Sequence, residues 1–122
     1  ALPISLRDDM RCEMENWKAA YPEFKVFRET WCGRDALRMP HFAAVKSDDR
    51  FNVLHLVEKT LETQFASKGL VHEDVAWRNI GLYKDGAHRK AVVFDLGRVR
   101  DADDKTDGNW VNDAIAKLQR EA

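Results

Sequence analysis

The chain has 122 residues, a length that fits one domain, and 44% of them are hydrophobic, which is enough for one core. Lysine and arginine number 20 against 21 aspartates and glutamates, so the formal net charge is -1. This balance gives no reason to expect a nucleic-acid partner or a membrane surface, and no apolar run is long enough to cross a bilayer.

The cysteines indicate a compartment. Cys12 and Cys32 form no CxxC pair and have no histidine at zinc-ligand spacing. We interpret them as idle thiols of a reducing environment and expect a soluble, intracellular protein. Delivery from another cell is an alternative that the sequence leaves open.

The first two predicted elements are a helix and a hairpin. Apolar residues recur at helical spacing over residues 6–21, and Pro22 ends the pattern. Strand-forming residues then occupy residues 24–39 on both sides of a turn at Gly33, which predicts an antiparallel hairpin.

A longer helix, a second hairpin and a last helix follow. Apolar residues line one face over residues 54–65, and Lys68-Gly69 ends this helix. Strand formers over residues 80–94 flank an Asp85-Gly86 turn. The last helix covers residues 110–118. A polar loop over residues 101–108 precedes it, so the order of elements predicts one α+β domain over residues 1–122, with antiparallel hairpins packed against three main helices.

Polar side chains flank the second hairpin. Asp74 and Asn79 lie in the loop before it, and Asp95 follows its second strand. Because a hairpin returns the chain to its starting point, we expect these groups to be neighbours. Magnesium prefers oxygen ligands, commonly one or two carboxylates with phosphate oxygens and water. Asn79 and Asp95 are therefore candidate metal ligands, and Asp74 would accept a proton from an attacking hydroxyl or orient it. The alternative is that all three cap loop amides.

These residues form two motifs. The loop reads His72-Glu73-Asp74-Val75-Ala76-Trp77-Arg78-Asn79, and Asp95-Leu96-Gly97 follows the hairpin. They resemble the catalytic loop of protein kinases, His-Arg-Asp-Leu-x-x-x-Asn, and the Asp-Phe-Gly motif that follows it after a hairpin. Ala76 and Arg78 are similar to the tyrosine-kinase version of the loop.

The resemblance implies a truncated protein-kinase-like fold, with residues 1–40 as a remnant of the small lobe and residues 41–122 as the catalytic-loop region. It implies Asp74 and Asn79 as catalytic residues and Mg²⁺ and ATP as cofactors. The segment that would bind adenine through backbone groups comprises Met39, Pro40, His41 and Phe42.

Two further side chains take their expected roles from the same resemblance, and the alternatives for a third follow from its position in the loop. Glu13 is the counterpart of the family's ion-pairing glutamate, with Glu15 as the alternative. His72 is expected to be architectural. Trp77 is either a packing residue or a ring that faces the substrate.

The sequence departs from the kinase pattern at both ends. It has no Gly-rich loop over the phosphates, no phosphate-binding lysine and no peptide-docking helices after Gly97. We therefore expect a nucleotide-binding kinase-like domain or fragment with weak or no independent activity, similar to the kinase-like domains of pathogen effectors. The alternatives are a catalytically inactive pseudokinase-like module that binds a protein, and a metal-dependent hydrolase. A protein partner or a homodimer would cover the exposed sheet edge beside residues 24–39.

Overall fold

A computed structural model describes residues 13–31, 33–38, 41–103 and 105–122. Residues 13–20 are α-helical, here named α1, and the helix ends before Pro22 as the sequence predicted. Trp17, Ala20 and Tyr21 are buried, so α1 contributes its apolar face to the core. The predicted start of this helix and both cysteines lie outside the described residues.

The first hairpin is confirmed. Strands β1 (Phe27–Trp31) and β2 (Arg34–Arg38) pair in antiparallel register around Gly33, whose φ of 77° is readily adopted only by glycine. Among the described strands these two form a sheet of their own. Met39 and Pro40, which the sequence placed at the end of this hairpin, lie outside the described residues.

Helix α2 (Arg50–Thr60) is the central element of the core. A 3₁₀ turn precedes it, and a π-helical turn and a second 3₁₀ turn prolong it to Lys68. Its core face carries Val53, Val57, Leu61 and Phe65 at intervals of one turn, and all four are fully buried. Gly69 ends the helical stretch in the left-handed conformation, which confirms the predicted stop.

The second hairpin is confirmed, and its strands extend up to the turn at Gly86-Ala87. Strands β5 (Ile80–Asp85) and β6 (His88–Val93) pair antiparallel, with Gly86 at a φ of 64° in the turn. A short strand that the sequence did not indicate, β3 (Ala43–Ala44), pairs with the other side of β5. The resulting sheet has the order β3-β5-β6 and packs against α2.

One more pair of strands was not predicted from the sequence. Strand β4 (Leu70–His72) follows Gly69 and pairs antiparallel with β7 (Val99–Asp101), so the expected polar loop begins one residue later than predicted. Helix α3 (Trp110–Arg120) closes the described chain and buries Leu118. Three helices and antiparallel sheets confirm the α+β class. No helix among the described residues is long and apolar enough to cross a membrane.

A cluster of aromatic rings joins the hairpin sheet to the rest of the core. Phe42 contacts Phe24, Tyr83 and Phe94 with ring centroids 5.4, 5.7 and 5.3 Å apart. The rings close over Gly81, where an added Cβ would lie 2.7 Å from Phe94 and 2.8 Å from Phe42. Gly81 is therefore required by close packing, not by an unusual backbone angle.

Candidate functional site

His72 connects the two predicted motifs. Its ring is buried, its Nδ1 accepts a hydrogen bond from the Asp74 backbone N–H at 3.0 Å, and its Nε2 lies 2.5 Å from the Phe94 carbonyl oxygen. Since a backbone amide only donates, Nε2 carries the proton and donates to Phe94. Burial lowers the pKa of His72, although the Phe94 carbonyl and the nearby carboxylates oppose this, so the ring is held neutral.

Phe94 is held from both ends of the loop. Its N–H donates to the Asn79 carbonyl at 2.6 Å, and its own carbonyl accepts from His72. Four residues after Phe94, the carbonyl of Arg98 accepts a hydrogen bond from the Glu73 N–H at 3.1 Å. The structure therefore brings the loop of residues 72–79 against the segment that carries Asp95.

Asp74 is engaged on both carboxylate oxygens. The Arg78 guanidinium donates to Oδ1 at 2.8 Å and to Oδ2 at 2.9 Å, and the Asn79 side-chain amide donates to Oδ2 at 3.2 Å. Burial raises the pKa of this carboxyl, but the Arg78 and Asn79 interactions outweigh it, and the net pKa is lowered. Asp74 is thus an ionised hydrogen-bond acceptor at neutral pH and a weak base.

Asn79 ends the 3₁₀ turn of residues 77–79 and is half-buried. Its Nδ2 donates to the backbone carbonyl of Asp74 at 2.9 Å as well as to the Asp74 carboxylate. The amide nitrogen therefore fixes the loop. The amide oxygen, Oδ1, is the atom that could accept a cation.

Asp95 has the least usual backbone of the site. Its φ of 59° and ψ of 58° lie in the left-handed region, and it is the one non-glycine residue with positive φ in the described chain. Such a conformation costs on the order of 1 kcal/mol or more and is frequent at functional sites. The Asp95 side chain is exposed, whereas the next residue, Leu96, is fully buried.

Asn16 on α1 holds the segment after Asp95, and the sequence analysis did not identify it. Its side-chain amide donates to the Leu96 carbonyl at 2.6 Å and more weakly to Val99 at 3.4 Å. The available signal was a polar residue that lies about one helical turn after Glu13 and directly before Trp17. Its partner is a backbone carbonyl, which a sequence pattern does not reveal.

Glu13, the expected ion-pairing glutamate, is half-buried near Asp95. Burial raises the pKa of Glu13, and the Asp95 charge raises it further. The indole N–H of the fully buried Trp17 partly offsets this rise, although it completes no hydrogen bond of good geometry. Glu13 therefore adds negative charge beside Asp95.

Trp77 is a packing residue. Its ring is buried, its Nε1 donates to the Leu118 carbonyl of α3 at 3.0 Å, and the Arg50 guanidinium lies 5.4 Å from the ring centroid. Of the two alternatives from the sequence, the structure favours packing. The residue joins the loop to α3.

The segment expected to bind adenine is described only in part. Met39 and Pro40 lie outside the described residues, His41 is exposed, and the half-buried Phe42 ring belongs to the aromatic cluster over Gly81. His41 lines a cleft of about 660 Å³ beside β3 and β5. A larger cleft of about 860 Å³ lies between α2 and β6. Asp74, Asn79 and Asp95 line neither of these two clefts.

The donor set at Asn79 and Asp95 suits magnesium in part. Within the described ranges, no three His, Cys, Asp or Glu side chains are grouped to hold a metal ion. One carboxylate and one amide oxygen are instead a partial set, of the kind that Mg²⁺ accepts when phosphate oxygens and water complete the shell. A metal here would therefore need a phosphate-bearing ligand.

Comparison with known families assigns the chain to a family whose function is unknown. Residues 4–83 match a family of unknown function, DUF5898, and the chain belongs to that family. The match covers α1, the first hairpin, α2 and the loop that carries Asp74 and Asn79, and it ends before Asp95. A comparison with curated proteins gave no match. The resemblance to protein kinases stays a prediction from the two motifs.

Proposed function

We propose that the chain is a reduced protein-kinase-like domain in which Asn79 and Asp95 hold Mg²⁺ on a nucleotide such as ATP. Its independent phosphotransferase activity would be weak or absent. The observation that carries the proposal is the double hydrogen bonding of Phe94 by His72 and Asn79, which sets Asp95 beside the loop. The order of the two motifs around the hairpin supports the same conclusion.

Each residue of the proposed site has a separate task. Asn79 offers Oδ1 to the metal because its nitrogen holds Asp74, and Asp95 offers an exposed carboxylate. When bound, Mg²⁺ would neutralise charge on the transferring phosphate. Asp74, ionised and fixed by Arg78, would orient an attacking hydroxyl by accepting its hydrogen bond.

Three features argue for weak activity. The lowered pKa of Asp74 and its paired oxygens make it a poor proton acceptor. Glu13 places a second carboxylate near Asp95. Because a phosphate is negatively charged, this carboxylate would repel it. These 122 residues also contain neither the lysine nor the glycine-rich loop of the kinase pattern, and a domain without them would have a barrier to phosphoryl transfer higher by roughly several kcal/mol.

The alternative is a catalytically inactive, pseudokinase-like module that binds a protein. It is favoured by Phe42, which lies in the segment expected to bind adenine but packs its ring on Phe24, Tyr83 and Phe94. In that case Asp74 and Asn79 serve mainly to fix the loop. The two functions differ in whether the chain binds a metal-nucleotide complex.

Calorimetric titration of ATP, with and without Mg²⁺, tests the proposal on the wild-type chain and on Asp95→Asn. Asparagine tolerates the left-handed backbone, so this change removes the charge and keeps the fold. We expect Mg²⁺-dependent binding to weaken at least about ten-fold in the variant, since even indirect changes at metal sites cost that much.

Asp113→Asn is the matched control, because Asp113 is an exposed aspartate in the first turn of α3. It should bind ATP as the wild type does. Failure of the wild-type chain to bind ATP in the presence of Mg²⁺ would reject the nucleotide site and favour the protein-binding module.

A further inference from the structure

The cleft of about 660 Å³ beside β3 and β5 combines apolar and charged lining residues. A volume of this size is typical of sites for small molecules. The apolar lining residues include the exposed Ala43 and Ala44 and the half-buried Leu82. The charged lining residues are Lys46, Asp49, Lys84 and Arg89.

Two of these charged residues are like charges that oppose each other across the hairpin. Lys84 and Arg89 are direct partners in the register of β5 and β6, so both side chains leave the sheet on the same face. Like charges in this arrangement are destabilising. The Arg89 guanidinium donates to Asp49 Oδ2 at 2.8 Å, which offsets its charge. The Lys84 ammonium has no such partner within the part of the chain that the structure describes.

Lys46 adds a third cation to the same cleft. Its ammonium group forms no ion pair with any described residue. Hydrogen bonds from Arg89 and then from Asn52 are the main causes that lower the pKa of Asp49, and the charge of Lys46 contributes least. One carboxylate therefore faces three cations. With His41 counted as neutral, the described lining residues leave an excess of two positive charges, although the whole chain carries a net charge of -1.

This excess matches the charge of a phosphate monoester. Such a group carries about 1.5 to 2 negative charges at neutral pH, and lysine binds phosphate as a point charge. A carboxylate supplies only one negative charge, and a neutral ligand would leave the repulsion between Lys84 and Arg89 in place. The apolar lining residues offer contact area to the organic group that carries the phosphate.

We propose that this cleft binds a small organic phosphate monoester. Lys46 and Lys84 would hold the phosphate, and Ala43 and Leu82 would contact its organic part. The site is separate from the one at Asp95, because Asp74, Asn79 and Asp95 do not line the cleft. It therefore does not depend on the binding of Mg²⁺ or of a nucleotide.

A titration of the isotope-labelled chain, followed by the chemical shifts of its backbone amides, tests the proposal. Low ionic strength limits the screening of exposed charges, and EDTA keeps divalent cations from Asp95. The probes are phenyl phosphate, benzoate and benzyl alcohol, which share a ring and differ in charge. We expect phenyl phosphate to shift the amides of residues 43–46 and 82–84 and to bind at least about three-fold more tightly than benzoate. Benzyl alcohol should leave these amides unshifted.

The two lysines supply the variants. Lys84→Gln should weaken the binding of phenyl phosphate by about three-fold, and the addition of Lys46→Gln should weaken it by about three-fold again. Both side chains are exposed, so these variants should fold. The matched control is Lys105→Gln with Lys117→Gln, which removes the same two charges from exposed positions outside the cleft and should keep the wild-type affinity.

Four outcomes would each overturn the proposal. The first is that phenyl phosphate causes no shifts, and the second is that its shifts are centred outside the cleft. The third is equal affinity for benzoate and phenyl phosphate. The fourth is an equal loss of affinity in the cleft variant and in the matched control.

Discussion

At the residue scale, Gly81 shows how a single hydrogen atom in place of a methyl group can determine packing. The Phe94 ring and the Cβ of Phe42 occupy the space that a Cβ at Gly81 would need. No sequence pattern indicated this, because the sequence analysis considered glycines only at turns, at the end of a helix and in the Asp95-Leu96-Gly97 motif. The backbone of Gly81 is ordinary, so its importance depends entirely on neighbours distant in sequence.

Gly81→Ala should destabilise the protein by about 1–3 kcal/mol, because the Phe94 ring and the backbone that carries the Phe42 Cβ must shift to admit the methyl group. Urea denaturation followed by circular dichroism measures the change. Gly108→Ala is the control, since a Cβ at Gly108 meets nothing within 4 Å. A stability for Gly81→Ala equal to that of the control would contradict the packing described.

His72 predicts a dependence of stability on pH. Its pKa is lowered in the folded state, mainly by burial, below the value of about 6.5 that it has when unfolded. The unfolded chain therefore binds more protons as the pH falls below about 6.5, and the folded state loses stability there. Above that pH the contribution is complete.

The measurement is the free energy of unfolding between pH 5 and pH 8, estimated from urea denaturation, for the wild type and for His72→Gln. The variant should be less stable at neutral pH and should lose less stability on acidification. The pKa of Glu13 is raised, mainly by burial, so its contribution to the stability of the protein is lost as the pH rises. This contribution is the same in both proteins. The control is His55→Gln, on the exposed side of α2, which should show the same dependence of unfolding free energy on pH as the wild type. The same dependence for His72→Gln would contradict the buried neutral ring.

At the scale of elements, hydroxyl groups fasten β6 to the helices. Thr60 and Tyr21 bond to backbone groups of Ala91 and Val93 that no neighbouring strand satisfies. The sequence analysis counted Tyr21 among the apolar residues of the first helix and did not single out Thr60. Their hydroxyls matter because each satisfies a strand-edge group that burial would otherwise leave without a partner.

Thr60→Val should cost about 1–2 kcal/mol, because the Ala91 carbonyl loses its partner while the side-chain volume is conserved. Thr63→Val is a matched control one turn later, since the Thr63 hydroxyl bonds only to the Lys59 carbonyl of its own helix. Chemical denaturation of both variants gives the comparison. Equal losses for the two would mean that the Thr60 bond to β6 contributes nothing.

At the scale of the whole molecule, hydrogen bonds join elements that are far apart in sequence. Asn16 bonds to the segment after Asp95, Trp77 to the Leu118 carbonyl of α3, and Arg50 to the Glu121 carbonyl at 2.9 Å. The ends of the described chain are thus tied to its centre. Such ties favour unfolding as one cooperative unit.

We therefore expect tryptophan fluorescence and far-ultraviolet circular dichroism to give coincident urea transitions. Trp17 is on α1, Trp31 on β1, Trp77 in the loop and Trp110 on α3, so the fluorescence reports on four separate regions. Thr60→Val should shift both curves to lower urea by the same amount. A fluorescence transition that precedes the other would show that one region unfolds by itself.

Sequence reasoning found the elements with strong local signals and missed those without. Gly69 and Gly86 marked a helix stop and a turn, and both are where they were predicted. Strands β3 and β4, of two and three residues, carry no readable alternation and exist because a distant strand pairs with them. For the site, the spacing of residues 72–79 indicated which groups meet, but Arg78 as the partner of Asp74 and Asn16 as a support required three-dimensional contacts.

The half-occupied edge of β6 also implies an alternating pattern of amide hydrogen exchange within one strand. Lys90 and Val92 direct their N–H groups at β5, and Val93 directs its own at the Tyr21 hydroxyl, so these three should exchange slowly. Arg89 and Ala91, the residues on either side of Lys90, should exchange quickly. Slow exchange would then spread to Arg89 and Ala91 in the presence of any molecule that completes the sheet, so one spectrum recorded in a cell extract would reveal occupancy of the edge.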